Sequence, residues 1–296
     1  MSAAAAPHPM PGETAAHERQ QALQESFGSQ AGGVAAVFSS KAGDYLAARP
    51  NYPAELLLHL HDRLPAASAG LGPQQAHVVD LGAGSGQLTA DLLQQGLRVT
   101  AVEPSADMRA LAVQRLGQQA GFAASAGTAE ATGLPSGCAD LITAAQAFHW
   151  FEIEAARREC LRLLKPKAEV ALIWNDRRSE DPTQEALDAL FDEFGGARRQ
   201  AQKQHMNRQG DLHERAGLAA FFAGPVPASR HWDHEHQLDS AGLLSLAFSR
   251  SYIPARDSAE GQVLTQRLGE LFARFAQQGR LTMSYRCLAM IGRPHG

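Results

Sequence analysis

Only three cysteines occur in the 296 residues, Cys138, Cys160 and Cys287. An odd number so widely spaced supplies neither a disulfide framework nor a CxxC-type metal site, and reduced thiols in a cytoplasmic protein are expected. Positive charge is not in excess either: 27 Lys and Arg stand against 31 Asp and Glu, a net charge of -4. That leaves no global field to attract nucleic acid or an anionic membrane. No apolar run approaches the roughly 18 residues that a transmembrane helix needs. The N-terminal region has no basic segment ahead of an apolar block, and Arg19 is its one arginine before residue 40, so neither a secretory leader nor a transit peptide is expected. Bulky apolar side chains are also scarce in residues 1–33, which are rich in Ala, Pro, Gly and Gln; such a segment cannot offset the entropy of ordering itself and is expected to be a disordered tail.

What is present is 44% hydrophobic residues, enough for a large core. Phe38, Tyr45, Arg49, Pro50, Tyr52 and Pro53 punctuate a segment that leads into an apolar helix over 53–64, so residues 34–64 are expected to form an N-terminal flap. The core is expected over 65–175, and from His77 to Trp174 short apolar runs alternate with helical patterns, as in βαβ units that build a parallel sheet. Strands are predicted at 77–81, 98–102, 122–125, 139–144 and 168–174, and helices at 86–95, 107–116 and 152–164. After Trp174 the period is helical, with Leu187, Leu190, Phe191 and Phe194 at helix spacing, then a polar stretch over 198–215. This reads as a helical cap. A strand at 229–238, helices at 240–249 and 258–277, and a last strand at 281–291 complete the region 176–296.

The chemistry concentrates at His77-Val-Val-Asp-Leu-Gly-Ala-Gly-Ser-Gly-Gln-Leu-Thr89, an apolar strand that runs into glycines at every second position and then a helix. Glycines let the chain turn sharply and let a ligand lie against bare backbone, and the helix that follows presents free N–H groups. A dinucleotide site would read GxGxxG; Gly82 and Gly84 fit, but the third position is Gln87. Asp80 ahead of the turn suits a cationic group, such as an ammonium, better than a pyrophosphate. Glu103 ends the second predicted strand, where a carboxylate can accept both hydrogen bonds of a ribose diol. Met108 either covers an adenine face or joins Leu111, Ala112 and Leu116 in a core stripe.

These segments, with Glu103-Pro-Ser-x-x-Met108, Gly127-Thr-Ala-Glu-Ala-Thr-Gly-Leu-Pro135 and Ala144-Ala-Gln-Ala-Phe-His-Trp-Phe151, resemble the class I methyltransferases, within the broad UbiE and trans-aconitate methyltransferase-like group. The resemblance covers about residues 38–175. It implies a doubly wound α/β fold, a seven-stranded and mostly parallel Rossmann-like sheet with an antiparallel last strand, and S-adenosyl-L-methionine as cofactor. It also implies that Asp80, Gly82, Ala83, Gly84 and Gly86 contact the methionine portion, Glu103 the ribose, Ala129 and Glu130 the adenine edge, and Gln146 the sulfonium region. Tyr45 and Arg49 would close over the cofactor.

A small-molecule methyl acceptor is expected, a carboxylate or a hydroxyl, with oligomeric state left open. His149 is a candidate general base for a hydroxyl acceptor, or else a structural or lining residue. Arg177 and Arg178 follow the fifth predicted strand and are placed for an acidic substrate. Two rivals remain, an NAD-dependent oxidoreductase and a non-catalytic protein that keeps the cofactor pocket. His234 and His236 alternate on one predicted strand without a complete metal-ligand set, and are expected on a solvent-facing strand. The basic run 198–205 lacks interleaved aromatics and reads as a solvated helix face.

Overall fold

The computed structural model describes residues 49–64, 76–178, 180–209, 215–250 and 252–296. The tail 1–33, the flap up to residue 48 with Phe38 and Tyr45, and Ser251 lie outside the described residues. Strand β1 (His77–Leu81) is followed by α2 (Gln87–Gln94), β2 (Arg98–Val102), α3 (Ala106–Leu116), β3 (Phe122–Ser125) and β4 (Ala139–Ala145); α1 (Ala54–Asp62) precedes them. Then come α4 (Ile153–Leu163), β5 (Leu164–Arg177), α5 (Pro182–Gln209), α6 (Arg215–Phe222), β6 (Ser229–Leu238), α7 (Ser240–Phe248), α8 (Ala259–Phe275) and β7 (Leu281–Gly292).

The seven strands form one sheet in the order β3-β2-β1-β4-β5-β7-β6. Pairings β1–β2, β1–β4, β2–β3 and β4–β5 are parallel, and β7 runs antiparallel to both β5 and β6. The order reverses between β1 and β4, so the carboxyl ends of these central strands border a crevice, the place where open α/β sheets bind ligands. This is the doubly wound, mostly parallel Rossmann-like sheet anticipated from sequence.

Both faces are covered, which is why β1 and β4 are buried along almost their whole length rather than alternating. On one face α1 and α2 bury Leu56, Leu60, Leu88 and Leu92 against Val78, Val99 and Leu141. On the other, α4 and α6 bury Ile153, Cys160, Leu163, Phe221 and Phe222 against Val79, Ile142 and Val170. Each fully buried Leu stabilises the fold by about 2 kcal/mol. Side-chain caps fix where helices begin: Ser105 accepts from Met108 N, Glu152 from Ala155 N, Asp239 from Gly242 N and Ser258 from Gly261 N.

The cap has a core of its own, in which Leu187 and Phe191 of α5, Leu243 and Leu246 of α7, and Leu264 and Leu268 of α8 pack on Leu281, Met283 and Tyr285 of β7. Helix α5 is kinked at Gly196, whose φ of 48° and ψ of -136° leave the helical region. Two readings from the sequence are corrected here. Arg199, in the run taken as solvated, is 4% exposed; it bonds Asp192 Oδ1, Asp188 Oδ1 (2.9 Å) and the Tyr252 hydroxyl (2.7 Å). His234 and His236 do not face open solvent: both are half-buried and pack their rings on Tyr285, at 5.7 and 6.2 Å between centroids.

Candidate active site

At the end of β1 the chain turns through Gly82, Gly84 and Gly86, all at positive φ (65°, 58° and 79°). The turn is fastened to β2: Gly82 N and Ala83 N donate to Val102 O at 2.9 and 3.2 Å, and Gly86 N to Ala83 O at 2.9 Å. The glycines differ in what a side chain would meet. A Cβ on Gly82 would lie 2.6 Å from Ala147 Cβ, and one on Gly86 2.6 Å from Leu116 Cδ1. At Gly84 a Cβ would approach only the Met108 methyl, at 3.6 Å, so this peptide presents backbone to the crevice. Gly86 starts α2 in the left-handed region with no side-chain cap.

Two carboxylates flank the turn. Asp80 is 1% exposed, and its oxygens accept from the Thr89 hydroxyl (2.6 Å) and the Thr143 hydroxyl (2.8 Å). Burial pushes its carboxyl up to about 6, the two hydroxyls oppose the shift, and the charge of Glu103 adds to it. Glu103 is 8% exposed and accepts from Gly84 N and Ser105 N, one bond per oxygen at 2.8 Å. A carboxylate oxygen has two lone pairs, so each retains capacity for a further donor. The backbone carbonyl of Glu103 accepts from Arg109 Nη1 at 2.7 Å, which ties the end of β2 to α3.

Ala147 places the segment after β4 directly against Gly82. Gln146, just before it, adopts φ 56°, uncommon for a residue with a side chain. Gln146 N donates to Ile173 O and its Nε2 to Asn175 O, both at 2.9 Å. His149 lies on the short 3-10 turn Phe148–Trp150 and contacts the half-exposed Trp150 ring at 4.8 Å. Phe148 anchors that turn by edge-on packing with Phe151, Trp174 and Phe221. After β3, Ala129 is buried, and the Glu130 carboxylate accepts from Glu152 N at 2.8 Å. Met108 is buried beside the glycine turn and continues the Ala112 and Leu116 stripe, which is the core reading of it.

The structure thus brings Asp80, Gly82, Ala83, Gly84, Gly86, Glu103 and Met108 together, with Gln146 and His149 adjoining through Ala147. Arg49 acts electrostatically on Arg250 and lies two residues before Asn51. Sequence reasoning missed Thr143, a lone hydroxyl in the buried run Leu141-Ile142-Thr143-Ala144, which was the available signal. It also missed Asn51, whose Oδ1 accepts from Gln87 Nε2 (2.9 Å) and whose carbonyl accepts from Asn175 Nδ2 (3.5 Å). Asn175 Oδ1 in turn bonds His234 Nε2 at 2.7 Å. Of the sequence-predicted arginines, Arg177 pairs with Asp188 at 2.9 Å, and Arg178 with Asp233 and Glu180 at 3.0 and 3.3 Å. Among the described residues no group of His, Cys, Asp and Glu side chains could hold a metal ion, and no helix is long and apolar enough to cross a membrane.

Residues 79–172 match the methyltransferase domain family. An uncharacterized methyltransferase of Mycobacterium tuberculosis is 39% identical over 140 residues, 47% of this chain and 52% of the relative. One of Schizosaccharomyces pombe is 30% identical over 164 residues, 55% of this chain and 62% of the relative. The chain therefore spans about half to three-fifths of the length of these curated relatives. The structure of a candidate type II methyltransferase from Anaeromyxobacter dehalogenans superposes with a TM-score of 0.61, covering 83% of this chain and 99% of that one at 23% identity. That likeness is one of fold. Residues 79–172 are thus similar to the methyltransferase domain family, and they lie within a seven-stranded Rossmann-like sheet.

Proposed function

We propose that the chain transfers the methyl group of S-adenosylmethionine to a small-molecule acceptor. The observation that carries this reading is the glycine turn, fastened between Asp80 on β1 and Glu103 on β2, within the segment that matches the methyltransferase domain family. The residues present suit the cofactor. Gly84 offers bare backbone, Asp80 a negative charge beneath the turn, and Glu103 oxygens with spare acceptor capacity. Asp80, Gly82, Ala83, Gly84 and Gly86 would hold the methionine portion, Glu103 the ribose, Met108 the adenine face, and Ala129 and Glu130 its edge. Gln146 would border the sulfonium, and Tyr45 and Arg49 would cover the site. Within the broader class, the motif set favours the UbiE and trans-aconitate methyltransferase-like group.

When bound, S-adenosylmethionine supplies an electrophilic methyl group on a positively charged sulfur. The protein must then align the acceptor on the far side of that methyl and exclude water. Pre-organisation serves both ends, because Gln146 is fixed by two hydrogen bonds to the end of β5 and Phe148 packs the turn beyond it. A carboxylate acceptor needs no base, whereas a hydroxyl would draw on His149.

Calorimetric titration with S-adenosylmethionine, S-adenosylhomocysteine and NAD tests the reading, followed by turnover with an acceptor panel. Both sulfur compounds should bind and NAD should not, and Glu103→Ala should weaken binding at least about tenfold, as loss of charge-assisted hydrogen bonds implies. Binding of NAD alone would instead support an oxidoreductase. Tight binding without turnover of any acceptor would support a non-catalytic binding protein.

A further inference from the structure

Gln146, Asn175 and His234 come from the ends of β4 and β5 and from the edge strand β6, and they form one hydrogen-bonded line that starts beside the glycine turn. Gln146 immediately precedes Ala147, the residue that lies against Gly82. The last β4–β5 pair is Ala145 with Ile173, so Asn175, two residues further along β5, lies beyond the ladder to β4. Its carbonyl takes a side-chain donor instead, Gln146 Nε2 at 2.9 Å. A carbonyl can only accept, so the Gln146 amide turns its nitrogen to β5 and leaves its oxygen to the crevice. Gln146 is exposed, and among the described residues no donor reaches that oxygen.

The same reasoning fixes the next two groups. Asn175 Nδ2 faces the Asn51 carbonyl at 3.5 Å, long for a hydrogen bond, but the flipped amide would set two oxygens against each other there. Asn175 Oδ1 is thereby turned to His234 Nε2, 2.7 Å away. An amide oxygen cannot donate, so His234 carries its proton on Nε2. Burial pulls the imidazole below its ordinary value, against the opposing charges of Asp233 and Glu55, and the ring is neutral at neutral pH. Tyr285 braces it, with ring centroids 5.7 Å apart.

Two costs argue that this line serves the site. Asn175 is 9% exposed, and a buried amide is unfavourable unless its bonds are met, so an apolar residue would serve packing alone. Gln146 is held at φ 56°, a strained conformation for a residue with a side chain and one that gathers at functional sites. Both residues stand at carboxyl ends of central strands, the edge along which such sheets bind ligands.

We infer that Gln146 presents its amide oxygen to the sulfonium centre of the methyl donor, and that Asn175 and His234 are positioning residues that hold it in this orientation. The oxygen is the negative end of the amide dipole, so it favours a positively charged sulfonium over the neutral thioether left after transfer. The identity of the ligand rests on the methyl-transfer reading; the polarity of the hydrogen-bonded line does not.

The test has two arms. Calorimetric titration of the full chain with S-adenosylmethionine and S-adenosylhomocysteine reads the ratio of the two affinities, in which contacts common to both compounds cancel. Gln146→Met, which fills the space without the dipole, should lower the ratio in favour of S-adenosylmethionine about tenfold, while S-adenosylhomocysteine affinity holds within about twofold. His234→Leu should lower the ratio about threefold, and His234→Gln, which can still donate to Asn175 Oδ1, should stay within about twofold of the parent. In the second arm, long-range 1H–15N correlation spectra of the unliganded protein should show His234 as the Nε2–H tautomer at about pH 7.5. Unfolding midpoints identify any variant that fails to fold, and the Gln146→Met ratio and the tautomer then decide. An Nδ1–H tautomer, or a His234→Gln chain that behaves as His234→Leu, would overturn the positioning role. Both compounds binding with a ratio unmoved in Gln146→Met removes the sulfonium contact and leaves the methyl-transfer reading in place. If neither compound binds, the methyl-transfer reading falls and the sulfonium contact with it, whichever tautomer is found.

Discussion

Asp80 sets stability against binding, and Asp80→Asn separates the two. Its carboxyl, raised from 3.8 to about 6 by burial, keeps its proton in the folded protein to a higher pH than in the unfolded chain. The folded state therefore binds more protons between about pH 4 and pH 6, and stability falls as pH rises through that window before levelling off above it. A shift of about two units corresponds to about 3 kcal/mol, the cost of the buried charge at neutral pH. Asparagine has the same shape without the charge. Its Oδ1 can accept from one of the two threonine hydroxyls and its Nδ2 can donate to the other, which Thr89 and Thr143 allow by rotating their protons. Urea unfolding without ligand should find Asp80→Asn about 2–3 kcal/mol more stable than the parent at pH 7.5, and nearly equal to it below about pH 4. S-Adenosylmethionine binding should weaken in the same variant, because the ammonium loses the charge that compensates it. In the parent at about pH 6, binding should release a proton, visible as a dependence of the binding heat on buffer ionisation enthalpy. A stability difference that does not change with pH, or a variant less stable than the parent at pH 7.5, would refute this account of Asp80.

Three further outcomes follow from the geometry. Gly86→Ala should cost about 2 kcal/mol in urea unfolding, since φ is 79° and the new methyl would lie 2.6 Å from Leu116 Cδ1. Glu159 is 8% exposed and is held down to about 2, first by Arg162 and then by the Thr132 hydroxyl and backbone N–H. Glu159→Gln should therefore cost about 1–2 kcal/mol at neutral pH, discounted because Arg162 is solvent-accessible, and the difference should fade as pH falls from about 4 toward 2. Asn51→Ala and Asn175→Ala should couple by about 0.5–1 kcal/mol in a double-mutant cycle read by S-adenosylhomocysteine affinity; strictly additive effects would break the proposed link between the N-terminal segment and β5.

The parts of the fold that sequence made legible are those whose signals are local. The run from His77 to Gly86 shows strand, turn and helix start in ten residues, and Glu103 follows at the end of the next apolar run. Phe122–Ser125 was a weak strand by composition because β3 is the sheet edge, paired only with β2 and covered less than its neighbours. Strand β5 begins earlier than predicted, at Leu164 rather than 168. Leu164-Lys-Pro-Lys reads as a loop, yet Leu164 already pairs with Ala139 and Lys167 takes up the irregularity at φ 67°. Arg199, His234 and His236 were misread for a different reason. Their partners, Tyr252 for the first and Tyr285 for the others, are 53, 51 and 49 residues away, and no local pattern reports a tertiary contact.

The same logic explains why the contacts around Asn51 were harder to see than the glycine turn. A cofactor shared across a fold is held by one strand-turn-helix, whose requirements are written contiguously in Asp80 to Thr89. The contacts that join the N-terminal segment to β5 and β6 are tertiary, so their residues, Asn51, Gln87, Asn175 and His234, are scattered along the chain. Asn51 lies where the two meet: its side chain bonds the first residue of α2 and its carbonyl bonds Asn175, which also touches His234 and, through its own carbonyl, Gln146. These bonds form one chain from the glycine helix to β6, so a shift of the N-terminal segment at Asn51 reaches both ends. Methyl transfer needs such a joint, since aligning donor and acceptor within a few tenths of an ångström requires that the two sites keep a fixed relation to each other.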